Sequence, residues 1–75
     1  MPVTHLDLRG TPCPLNFVRS RLALSRLPLG AELLVDLDRG DPERMVVDGL
    51  REQGQQVQVL AADADGVRLR ITRRG

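Results

Sequence analysis

The sequence predicts a two-layer α/β (α+β) sandwich, β-α-β-α-β-β in order, with a four-stranded mixed sheet and two helices on one face. Three observations lead there. Seventy-five residues leave room for one domain, spanning 1–75, around one small core. Two helical segments that open at a proline and stop before a glycine alternate with short apolar runs, the pattern of strand–helix–strand crossovers. An Asp-Gly turn then separates two last alternating runs, which reads as a hairpin.

Each element has its own signal. Thr4 to Leu8 alternates in type and reads as a short strand ended by Arg9-Gly10. Pro14 suits the first helical position, which places Cys13 at the N-cap, and the helix should run to about Leu27, stopped by Pro28 and Gly30. Glu32 to Leu37 is an apolar second strand. Asp41-Pro42 repeats the opening, with Asp41 as N-cap, for a helix reaching about Gln53 and Gly54 as C′ residue. Its opening turn is expected to be irregular at β-branched Val46-Val47. Gln55 to Leu60 and Val67 to Thr72 flank the turn Asp63-Ala64-Asp65-Gly66, and Arg73-Arg74-Gly75 is expected to be a solvated tail. Both crossovers should put their helices on the same side, leaving the polar residues of the strands on an open face.

Composition narrows the function. The chain is 41% hydrophobic and 28% charged, ordinary for a globular domain, and thirteen Leu and eight Val against one aromatic make an aliphatic core. With no apolar run near 18 residues and no leader-like start, no membrane association is expected, and the expected compartment is the cytoplasm. Net charge is +1, all eleven basic residues are arginine and spread along the chain, and Trp and Tyr are absent. Direct nucleic-acid binding is therefore not expected. No cofactor is called for, and a monomer is expected. Asp36, Asp38 and Asp41 lack the later ligands of a calcium loop, so no metal site is assigned.

Cys13 is the one residue with evident chemistry. A single cysteine forms no internal disulfide, no Cys-x-x-Cys redox pair and no multi-cysteine metal site. At a helix N-cap, however, a thiol faces unpaired backbone N–H groups and the positive end of the helix dipole. These favour the thiolate, so the Cys13 pKa is expected below the free value of about 8.5. Pro12 and Pro14 stiffen the turn, and Arg9 could add positive charge. His5, the only histidine, starts a strand that leads away from the site, so no general base is apparent and His5 reads as a surface residue. A nucleophile that takes up and passes on a covalent bond unaided fits these absences. A persulfide does so.

Leu6-Asp7-Leu8-Arg9-Gly10-Thr11-Pro12-Cys13-Pro14 resembles the signature of the TusA/SirA-like sulfur-carrier family, Leu-Asp-x-Arg/Leu-Gly-x-x-Cys-Pro-x-Pro at the first strand–helix junction. The resemblance extends over the chain in length, element order and the basic Ile-Thr-Arg-Arg-Gly ending. It implies a sandwich similar to the C-terminal domain of bacterial translation initiation factor three. It also implies that Cys13 accepts sulfur as a persulfide from a cysteine desulfurase or rhodanese-like donor and relays it to an acceptor protein. Destinations in the family include tRNA thiolation, molybdenum cofactor biosynthesis and sulfur oxidation. On this reading the chain is a sulfurtransferase-type carrier rather than a stand-alone enzyme. The alternatives are a non-catalytic interaction module of the same fold, or a thiol redox sensor acting through intermolecular disulfides. Arg9, Gly10, Pro12, Pro14, Leu15 and Asn16 support the site.

Asn16 departs from the signature, replacing its second proline. At N3 it is expected to offer the Cys13 thiolate a backbone N–H and a side-chain amide. Along the same helix, Phe17, Leu24 and Leu27 share one side, and Leu15, Val18 and Leu22 the nearly opposite one. The second stripe either packs beside the neighbouring helix or forms an exposed partner surface next to Cys13.

Overall fold

Proline and glycine punctuation sets the element order: β1 (Val3–Asp7), α1 (Leu15–Ser25), β2 (Glu32–Leu37), α2 (Asp41–Glu52), β3 (Gln56–Ala62) and β4 (Val67–Thr72). The computed structural model describes residues 3–12 and 14–75. The sheet is ordered β1-β2-β4-β3, with β2 parallel to β1 and antiparallel to β4, and β3 antiparallel to β4. It is mixed, as the alternating crossovers and final hairpin require.

Register explains why the strands are legible. Val35 faces Leu6 on one side and Leu69 on the other, so the buried apolar residues of β2 and β4 share one face with Leu6. Leu33, Val35 and Leu37 on β2, with Leu69 and Ile71 on β4, have no solvent exposure. They join Leu24 of α1 and Val46 and Leu50 of α2 in one core under both helices. Each such side chain contributes ~1.5–3 kcal/mol by leaving water.

Boundaries moved at four places. β1 begins and ends one residue early, yet Leu8 is buried and its N–H still reaches the Asp36 carbonyl at 2.8 Å. β3 starts at Gln56 and extends to Ala62, because a bulge between Val59 and Ala61 keeps it paired to β4. In α2 the cap is Gly40, with φ +94, and Asp41 lies inside the first turn, paired with Arg44. α1 stops at Ser25, where the Arg26 and Leu27 N–H groups make tighter i→i−3 bonds to Ala23 and Leu24.

Two other expectations fail. The Val46-Val47 pair does not disturb α2: both valines are buried, and packing outweighs the propensity cost. The Arg73-Arg74 ending is not a solvated tail either. Arg73 Nη1 donates to the Ser25 carbonyl at 3.0 Å and to that of Leu27, which caps α1, while Arg74 donates to Gln56. At the far end of α2, Gly54 with φ +85 sends its N–H to Arg51, and Gln55 to Leu50, a Schellman stop.

Candidate functional site

The loop from β1 to α1 is held by local bonds. Asp7 Oδ1 accepts the Arg9 backbone N–H at 3.1 Å and Nε–H at 3.0 Å, and Oδ2 accepts Nη2–H at 3.0 Å. The Arg9 hydrogen bond lowers the Asp7 carboxyl from 3.8 to about 2. Thr11 N–H closes a turn onto the Leu8 carbonyl. Gly10 takes φ +80, which non-glycine residues rarely adopt, and its N–H reaches Asp38 Oδ2 at 2.8 Å. Arg9 and Gly10 therefore build the loop. Arg9 does not offer a free positive charge, because Asp7 already holds its guanidinium.

Helix α1 begins one residue later than the sequence suggests. Pro14 is the cap, with φ −91 and ψ 11, and Leu15 is the first helical residue. The predicted N-cap, Cys13, lies outside the described residues. Asn16 accordingly sits at N2, and its N–H donates to the Pro12 carbonyl at 3.2 Å. A proline carbonyl thus takes this N–H, while the expected donation from Asn16 to the Cys13 thiolate lies outside the described residues. The Asn16 side chain is fully buried, and its Oδ1 accepts the Phe17 N–H at 2.7 Å. Ser20, also fully buried, returns its hydroxyl to the Asn16 carbonyl at 2.9 Å. Among the described residues, Leu15 alone in the first turn has an N–H without an acceptor. Pro12 and Pro14 have none to give.

The two sides of α1 separate as the periodicity suggests. Leu24 is buried, and Phe17 and Leu27 pack partly against the core. Leu15, Val18 and Leu22 are 42%, 43% and 52% exposed, so the second stripe is an open surface and does not pack against α2.

A second polar cluster escaped the sequence reading. On the open face of the sheet, Asp36 accepts Arg68 Nε–H at 2.8 Å and Nη2–H at 3.1 Å, and pairs with His5 Nε2 at 2.7 Å. Arg68, foremost, holds the Asp36 carboxyl below its ordinary value against the effect of burial. His5 is a surface residue with a definite partner. The one available signal was a carboxylate inside the apolar run Glu-Leu-Leu-Val-Asp-Leu, which demands a cation on a neighbouring strand. Among the described residues no group of three His, Cys, Asp or Glu side chains could hold a metal ion, and no helix is long and apolar enough to cross a membrane.

Comparison with known proteins agrees with this geometry. The family model described as sulfurtransferase TusA matches residues 4–73. The crystal structure of a SirA-like protein from Desulfitobacterium hafniense superposes with a TM-score of 0.82 at 21% identity, covering 99% of this chain and 100% of that one. At that identity the likeness speaks for the fold. No curated protein sequence matches the chain.

Proposed function

The chain belongs to the TusA sulfurtransferase family, and from that premise we propose that it carries sulfur as a persulfide on Cys13 between two proteins. The observation that supports this most is positional. The only cysteine stands immediately before the Pro14 cap of α1, where the Leu15 N–H has no acceptor among the described residues. An open donor and the helix dipole both favour a thiolate at such a place.

The exchange balances without a further reagent. The Cys13 thiolate attacks the outer sulfur of a donor persulfide, the donor's S–S bond breaks, and the donor cysteine leaves as thiolate. Cys13 then holds the outer sulfur, and an acceptor thiolate removes it in the same way. Donors of the desulfurase or rhodanese-like class fit this step, and the cytoplasm is the compartment it suits. The test is two-sided. Protein charged by a cysteine desulfurase and repurified should give up its extra sulfur to a second protein thiol, leaving both partners monomeric. Accumulation of a mixed disulfide instead would favour a redox sensor.

A further inference from the structure

The eleven arginines are used unevenly. Arg9, Arg39, Arg44, Arg68 and Arg70 stand in ion pairs with Asp7, Glu43, Asp41, Asp36 and Glu32. Arg51, Arg73 and Arg74 donate to carbonyls or to the Gln56 side chain. Arg19, Arg21 and Arg26 remain. All three are exposed, and their guanidinium groups have no partner among the described residues. They lie on α1 or at its C-cap, and no acidic residue occurs between Asp7 and Glu32 to neutralise them.

These charges frame the open apolar strip. At about 100° per residue, Arg19 and Arg26 run along one flank of Leu15, Val18 and Leu22, and Arg21 along the other. An apolar centre inside an arginine rim is the composition of a protein interface. We propose that the outer face of α1 docks a protein partner whose matching patch is acidic around an apolar centre. The proposal rests on the persulfide reading, because the strip opens at Leu15, two residues after Cys13. A phosphate backbone would leave the strip unused. An interfacial membrane helix would be expected to bring large aromatic anchors, and the one aromatic, Phe17, packs on the core. A second copy is the nearest competitor, since α2 exposes Asp48 and Glu52 beside Met45.

Sulfur transfer from a cysteine desulfurase supplied with cysteine reads the docking, whereas alkylation of Cys13 by neutral iodoacetamide and end-point loading by inorganic polysulfide bypass it. The R19E/R21E/R26E variant should lower the second-order rate of protein-to-protein transfer about tenfold or more. V18S/L22S should lower it as well, and rising salt should slow the parent. Alkylation, polysulfide loading and the melting temperature should hold. The milder R19Q/R21Q/R26Q serves if charge reversal disturbs folding. Unchanged transfer rates in variants that still load from polysulfide overturn the docking proposal alone. Binding of phosphatidylglycerol vesicles, or a concentration-dependent dimer in sedimentation, that the arginine variant loses also overturns it. A parent chain that takes no sulfur from either source overturns the persulfide reading and the docking proposal with it.

Discussion

The Asn16 N–H donates to the Pro12 carbonyl at 3.2 Å, a bond that spans the cysteine in sequence and ties the start of α1 to the loop before it. Asn16→Pro, which restores the family residue, removes that donor and the Oδ1 that accepts the Phe17 N–H. Leaving those partners unpaired should cost about 1–3 kcal/mol, measured by urea unfolding. The pH midpoint of Cys13 alkylation in the same variant reads whether the sulfur draws on Asn16, and an unchanged midpoint would leave this N–H to Pro12 alone. A rise of about one unit would show that the sulfur shares this donor.

Phe17 and Gly49 set the distance between the helices. A Cβ placed on Gly49 would lie 2.5 Å from Phe17 Cε1. Gly49→Ala should therefore destabilise the domain: overpacking costs ~1–3 kcal/mol and exceeds the ~1 kcal/mol gained in helix propensity. Phe17→Leu in the same chain should relieve the clash. A double-mutant cycle with no coupling would show that the helices separate freely.

Asp36 gives the fold a pH dependence of defined sign. Its folded-state carboxyl is held below 3.8, chiefly by Arg68, so the folded state releases this proton more readily than the unfolded chain. Its contribution is fully present above about pH 4–5 and is lost as pH falls through the folded value. Asp36→Asn should lower stability at neutral pH by about 1.5–3 kcal/mol and flatten the acid limb of the unfolding profile. A variant with an unchanged acid limb would place that limb on other carboxylates, Asp7 first among them.

What the sequence carried was local. β2 lies where its apolar run puts it and β4 where alternation does, because a slip of one residue would expose the buried side chains of either. The hairpin turn follows from Asp63, whose Oδ1 accepts the Asp65 and Gly66 N–H groups. The helix starts lie one residue from where the capping rules for Asp41 and Pro14 put them, at Gly40 and Pro14 as caps. The open state of Leu15, Val18 and Leu22 was not legible, because helical periodicity shows which side they share and not what lies beside it. Asp36, His5 and Arg68 are 31 and 32 residues apart in pairs, and only strand register brings them together.

Persulfide loading of Cys13 decides the function. Incubation with a cysteine desulfurase and cysteine, followed by intact mass under non-reducing conditions, tests it most directly. The parent protein should gain the mass of one sulfur atom, and Cys13→Ser should gain none while melting at the parent temperature. A parent that stays at its starting mass, or a Cys13→Ser protein that still takes up sulfur, would contradict the assignment.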